Sequence, residues 1–261
     1  MRVDLAEQVH IITGAGRGIG LATARMIAEA GGTPVLVARS EDQVRSAVAE
    51  LTDKGCKADA FPADIGEEER CTALVKHVMA THGRIDGIIN NAATNSVANL
   101  VMAKEKDWRH MFDINVFALM RLTKLCVRHM IRAKSGRIVN VSSVSSKLGA
   151  AYTSAYAASK AAVDTFTRSV AREVAKIGIT ANAVCPWHVD TELLRYGMEK
   201  RAKLFGKTVD EYLEEMAETN PQKRILKPEE VAATIVFLLS DHARGINGQA
   251  INVCGGMVMG V

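Results

Sequence analysis

Short apolar runs alternate with longer amphipathic stretches along the whole chain. The runs fall near residues 9–13, 34–38, 57–61, 86–90, 136–142, 179–184 and 249–253. Their length and β-branched content, as in Val35-Leu36-Val37 and Ile88-Ile89, predict seven strands. Helical spacing and good helix formers predict helices near 18–30, 41–53, 67–81, 104–132, 155–176 and 228–239. Strands that are apolar throughout and alternate with helices imply a parallel sheet covered on both faces, an α/β doubly wound fold. No Pro/Gly/Ser-rich linker breaks the alternation, so residues 1–261 are read as one domain. One stretch, about 190–227, lies outside it. It carries two amphipathic helical patterns, Met198 to Phe205 and Val209 to Met216.

Composition narrows the class. Hydrophobic residues make up 48% of the 261, enough for a sizeable core. The net charge of +4 comes from 33 basic and 29 acidic residues mixed along the chain, which is no nucleic-acid footprint. Five cysteines, at 56, 71, 126, 185 and 254, form no CxxC pair and read as reduced thiols. No metal is expected. The longest apolar run, Val231 to Leu239, is too short to span a bilayer, and no apolar signal segment precedes the first strand. The expected location is the cytoplasm.

Chemistry concentrates at the ends of the predicted strands, where doubly wound sheets bind ligands. Ser143 closes the strand Arg137-Ile-Val-Asn-Val-Ser-Ser143. Thirteen residues on come Tyr156 and Lys160, at i and i+4 on one helix face. An ammonium held near a phenol is expected to lower a pKa that is otherwise about 10, which suits proton transfer at a carbonyl oxygen. At the N-terminus, the strand Val9-His-Ile-Ile-Thr13 runs into Gly14-Ala-Gly16-Arg17-Gly18-Ile19-Gly20 and then a helix. Strand, glycine turn and helix are what a dinucleotide pyrophosphate requires, a Rossmann-type arrangement.

Charge indicates which dinucleotide. An NAD-specific fold usually ends its second strand with an acid that bonds the ribose hydroxyls. Here Ala38 holds that place and Arg39 follows it. A guanidinium suits a 2′-phosphate, so the expected cofactor is NADP(H), with Arg17 as a second cation beside the phosphate.

Taken together these motifs resemble the short-chain dehydrogenase/reductase family over nearly the whole chain. Thr13-Gly-Ala-Gly-Arg-Gly-Ile-Gly20 is similar to its TGxxxGxG turn, Asn90-Asn91-Ala92 to the start of its NNAG, and Tyr156 to Lys160 to its YxxxK. Asn182 to Pro186 and Thr191 are similar to its sixth-strand region. The resemblance implies four catalytic residues, Asn115, Ser143, Tyr156 and Lys160. Tyr156 would move the proton, Ser143 hold the carbonyl oxygen, Lys160 hold the nicotinamide ribose, and Asn115 bind a water linking Lys160 to solvent. It implies a cofactor site of Gly14, Arg17, Gly18, Ile19 and Gly20 at the turn, and Arg39, Ser40, Asp64 and Ile65 at the adenosine end. Asn91, Ala92, Tyr156, Lys160, Pro186, Val189 and Thr191 complete it. Ser145, Trp187 and His188 would line the substrate pocket, and 190–227 would be its lid. Tyr152 has no lysine at i+4 and is set aside as the proton donor.

Two departures stand out. Ala93 and Trp187 replace family glycines, and Trp187 is expected as a pocket wall. The implied reaction is hydride transfer between nicotinamide and a ketone or secondary alcohol, a 3-oxoacyl thioester or cyclic ketone being the expected substrate. A dehydrogenase of a small alcohol, sugar or steroid is the alternative, and a non-catalytic dinucleotide-binding regulator is the alternative of another class. The lid bases Lys200, Arg201, Lys203 and Lys207 are candidates for a carrier protein or a coenzyme A phosphate. Apolar residues on more than one face of the helices at 104–132 and 155–176 call for a partner, expected as a homotetramer.

Overall fold

The computed structural model describes residues 3–259. Its centre is a seven-stranded sheet, parallel throughout, made of β1 (Val9–Thr13), β2 (Thr33–Ala38), β3 (Asp59–Pro62), β4 (Gly87–Asn90), β5 (Gly136–Val141), β6 (Ile179–Pro186) and β7 (Ala250–Val253). The strand order β3-β2-β1-β4-β5-β6-β7 reverses direction between β1 and β4. That switch point opens a crevice beyond the strand C-termini. Successive strand side chains point to opposite faces. Ile12, Leu36, Val139 and Val184 therefore belong to one core, and their neighbours Ile11, Val35 and Ile138 to the other.

The first face is covered by α1 (Gly18–Glu29), α2 (Glu41–Asp53) and α10 (Pro228–Leu239), which supply Ile27, Val44 and Ile235. The second is covered by α3 (Glu68–His82), by α5 (Leu119–Ala133) and by α7 (Ser154–Val174), which supply Leu74, Leu122 and Val170. Both faces being covered explains why β1, β4, β5 and β6 are buried at every position. The edge strands β3 and β7 are only half-buried.

The structure departs from the sequence reading in three places. The single helix expected at 104–132 is α4 (Glu105–Phe112), a π-helical stretch over Asp113–Ala118, and α5. A one-turn helix, α6 (Ser145–Leu148), follows β5. The third strand starts two residues later than expected, at Asp59 rather than 57. The segment at 190–227 forms α8 (Glu192–Leu204) and α9 (Val209–Thr219), as its two patterns predict. Among the described residues no helix is long and apolar enough to cross a membrane.

Candidate active site

The glycine turn is shaped by backbone that other residues would not adopt. Gly14 and Gly18 have φ of +66° and +54°. At Gly20 the limit is space, since a Cβ would stand 2.3 Å from the Gly14 carbonyl oxygen. Arg17 is the N-cap of α1 but makes no side-chain cap, and no acid occupies the first turn. The leading N–H groups of α1 are thus left for an anion, and the helix dipole favours one there. The turn is fastened to the end of β4 by Thr13, whose Oγ1 accepts from Asn91 N and Ala92 N, each at 3.0 Å. In return Asn91 Nδ2 donates to Thr13 O at 2.9 Å.

The two departures from family glycines cause no backbone strain. Among the described residues the only non-glycines with positive φ are Glu7, Lys134, Tyr152 and Lys223. Ala93 and Trp187 are not among them.

Ser143, just past β5, accepts from Ser145 N at 3.1 Å through its Oγ and lines the cavity beside Tyr156. Tyr156 and Lys160 share one face of α7, as their spacing predicts, with Lys160 Nζ 5.7 Å from the Tyr156 ring centroid. The expected lowering of the Tyr156 pKa does not occur. Burial pushes the phenol up to about 12, and the Ser143 hydroxyl only partly offsets it. Lys160, whose Nζ donates to Val141 O at 2.8 Å, does not outweigh that burial. Burial lowers Lys160 to about 8, opposed by the carboxylate of Asp164 one helical turn further on. Asp164 escaped the sequence reading, although its i+4 spacing from Lys160 was visible. It is 5% exposed and accepts from Ser146 Oγ at 2.6 Å.

Asn115 sits in the π-helical stretch, 1% exposed. Its amide pairs with the backbone of Thr94 in both directions, accepting from Thr94 N at 2.8 Å and donating to Thr94 O at 3.0 Å. Nδ2 also donates to Ser159 Oγ at 3.1 Å. No direct bond joins Asn115 to Lys160.

A cavity of about 400 Å³ opens above these residues. Ser143, Tyr156 and Lys160 line it together with Ile19, Asn91 and Pro186. So do the expected pocket residues Ser145, Trp187 and His188, and the backbone neighbours Val189 and Thr191. Trp187 is both wall and core: its indole stacks 4.4 Å from the His188 ring and packs with Val144, Cys185 and Cys254. Burial pushes His188 down to about 4, helped by the Arg201 guanidinium, so it is neutral at physiological pH. Asn95, Gly197 and Arg201 also line the cavity, and the motifs gave no sign of Asn95 or Gly197.

The adenosine-end candidates lie apart from this cavity. Arg39 is exposed and makes no ion pair among the described residues. Ser40 caps α2, accepting from Gln43 N. Asp64 accepts from Gly66 N at 2.8 Å, and Ile65 is 7% exposed. The Arg17 guanidinium is ion-paired with Glu192 at the start of α8, beside a hollow of about 350 Å³.

α8 and α9 pack on each other through Met198, Ala202 and Tyr212. They rest on the loop before α7 by two contacts. Arg201 Nη2 donates to Ala151 O at 3.1 Å, and Phe205 meets the Tyr152 ring edge-on at 6.0 Å.

The family profile described as enoyl-(acyl carrier protein) reductase matches residues 14–258. The chain is 37% identical over 257 residues to a 3-oxoacyl-(acyl carrier protein) reductase of Synechocystis, covering 98% of each. A solved tryptophan variant of the actinorhodin polyketide ketoreductase with NADPH superposes with TM-score 0.93 at 31% identity, covering 97% of this chain and 98% of that one. An L-sorbose reductase from Gluconobacter frateurii, complexed with NADPH and L-sorbose, gives TM-score 0.93 at 32% identity over the full length of both chains.

Proposed function

Because the chain belongs to the short-chain dehydrogenase/reductase family, oxidoreductases that interconvert ketones and secondary alcohols, we propose that it is an NADP(H)-dependent ketone reductase with Tyr156 as the proton donor. One observation carries this reading. Ser143, Tyr156 and Lys160 meet in one cavity beside the uncapped start of α1.

NADP(H) fits the residues present. The open N–H groups of α1 suit its pyrophosphate, and the lack of side chains at Gly14 and Gly20 lets the turn close. Arg39, unpaired and next to Ala38, where an NAD-specific chain would carry an acid, suits the 2′-phosphate. When bound, NADP(H) supplies the hydride that adds to the ketone carbon. The chain's own residues handle the oxygen. Tyr156, its phenol pushed up to about 12 by burial, is the group that gives the proton to the reduced oxygen. Ser143 donates to the same oxygen and stabilises its developing charge. Lys160, still largely protonated, adds positive charge beneath the pair. Asn115, pinned to Thr94 and Ser159, holds the helix bend behind Lys160. α8 and α9 act as the substrate lid.

The relatives named for 3-oxoacyl and polyketide substrates support an acyl-chain or cyclic ketone as substrate. The test is NADPH oxidation against acetoacetyl-CoA, a decalone and simple diketones. Turnover of at least one, lost in Tyr156→Phe, is expected. NADPH binding with no turnover on any ketone would make the chain a non-catalytic nucleotide binder. We further propose a cytoplasmic homotetramer. All five cysteines are free, and Phe117, Met120 and Ile131 stay exposed on the outer side of the helix that buries Leu119 and Leu122 against the sheet. Light scattering at micromolar concentration is expected to give about four times the 28.2 kDa chain mass, and a monomer mass overturns the assembly.

A further inference from the structure

The substrate cavity carries an unbalanced charge that hydride transfer to a plain ketone does not use. Two of its lining side chains are cations, Lys160 and Arg201, and none is an aspartate or glutamate. Lys160 donates to Val141 O and is faced by the Asp164 carboxylate. Arg201 is not so paired: among the described residues it makes no ion pair, and only Nη2 is occupied, by Ala151 O at 3.1 Å. That bond fixes the guanidinium at the wall and leaves its other N–H groups for a ligand. His188, neutral beside it, offers no competing charge.

A second observation falls on the same spot. Asn95 faces α8 at Gly197, where its Nδ2 lies 3.7 Å from the point a Cβ would occupy. Gly197 and Arg201 are one turn apart on α8, and helical side chains lean toward the N-terminus. Asn95, against the Gly197 turn, and Arg201, one turn on, thus border the same cavity. The missing side chain at Gly197 keeps the space between them clear. Asn95 Nδ2 donates to no group among the described residues, which leaves an amide donor free at this wall of the cavity.

We infer that Arg201, with the Asn95 amide across Gly197, recognises a carboxylate carried by the ketone, which narrows the acyl-chain reading above to a small oxo acid in place of a thioester or cyclic ketone. Resting on the reductase reading above, the inference sets Arg201 apart from the other lid bases Lys200, Lys203 and Lys207, none of which lines the cavity.

The test compares 4-oxopentanoate, 5-oxohexanoate and 6-oxoheptanoate with their methyl esters under NADPH. For the best-fitting chain length, kcat/KM of the acid is expected to exceed that of its ester by at least about 10-fold. Arg201→Met is expected to collapse that acid-to-ester ratio by roughly 10- to 100-fold, acting on KM rather than kcat, and Arg201→Lys to restore part of it. Because Arg201 also anchors the lid, only the ratio is read. If it is unchanged in Arg201→Met, whatever the absolute rates, the residue is a strut and the inference falls while the reductase reading stands. Calorimetric titration of the NADP⁺ complex with glutarate separates the converse case. Glutarate binding that Arg201→Met weakens at least about 10-fold supports carboxylate recognition even if no ketone turns over, and binding indifferent to Arg201 overturns it.

Discussion

Near the C-terminal edge of the sheet Lys160 is 2% exposed. Near the N-terminal edge, on β1, His10 is wholly buried. The two sites treat an ionisable side chain differently. Lys160 has a carbonyl to bond and the Asp164 carboxylate nearby, and it keeps a pKa of about 8. His10 has no hydrogen-bond partner at either ring nitrogen. Burial, with Arg137 and Arg84 adding to it, outweighs the pull of Asp86 and lowers His10 to about 4. A buried charge that is bonded and faced by an acid stays available for chemistry. A buried ring with no hydrogen bond, whose nearby acid does not offset its burial, is kept neutral and bears only on stability.

The sharpest way to break this contrast is at the C-terminal edge. Tyr156→Phe should lower turnover by at least about 10²-fold, the usual scale of general acid catalysis, while leaving the melting transition and NADPH binding nearly intact. A variant retaining a tenth of the wild-type rate would move the proton donor elsewhere.

At the other edge the expected effect is on folding. His10 titrates at about 4 when folded and near 6.5 when unfolded, so the unfolded chain takes up its proton first as the pH falls. The stability is whole above 6.5, is lost progressively toward 4, and changes no further below that. The loss is on the order of 3 kcal/mol. Urea midpoints at successive pH values should show this slope, and His10→Leu should flatten it. His188, also lowered to about 4, adds a slope of the same sign in both proteins. Superimposable wild-type and variant profiles would mean that His10 is not the sensor.

Cofactor choice depends on an exposed charge, so the expected effect is smaller. Arg39→Ala should weaken NADPH by roughly 10- to 150-fold and NADH far less, as expected for a charge-assisted contact of about 1.5–3 kcal/mol. Equal losses in a titration would make Arg39 structural only. The lid contact is the smallest of the four. Phe205 stacks on Tyr212 at 5.9 Å and meets Tyr152 edge-on, and such pairs are worth about 0.5–1.5 kcal/mol. Phe205→Ala should raise KM by a few-fold to about 10-fold with kcat little changed, and a selective fall in kcat would contradict a seating role.

The parts of this molecule that could be read from the chain are those set by local periodicity. The seven strands, the glycine turn and the shared face of Tyr156 and Lys160 all follow from spacing along one element. What could not be read depends on atoms brought together from distant elements. Burial of the Tyr156 phenol depends on residues from several elements, so its pKa goes the other way from the i, i+4 argument. Arg17 finds Glu192 across 175 residues, and Asn95 meets Gly197 across a hundred. Arg201 looked like one base among several until the fold showed that it alone of the four lines the cavity.

The π-helical stretch at Asp113–Ala118 works as a phase shifter. It fits an extra residue into one turn, where each α-helical residue advances by about 100°. α4 therefore hands over to α5 with its rotation delayed. That delay sets the Leu119, Leu122, Cys126 and Met130 stripe against the sheet while Asn115 still reaches back to Thr94. A chain shortened by one residue within 113–118 would wind as continuous α-helix. It would then have to choose which to keep in place, the apolar stripe or the asparagine, because a regular helix of that length can align only one.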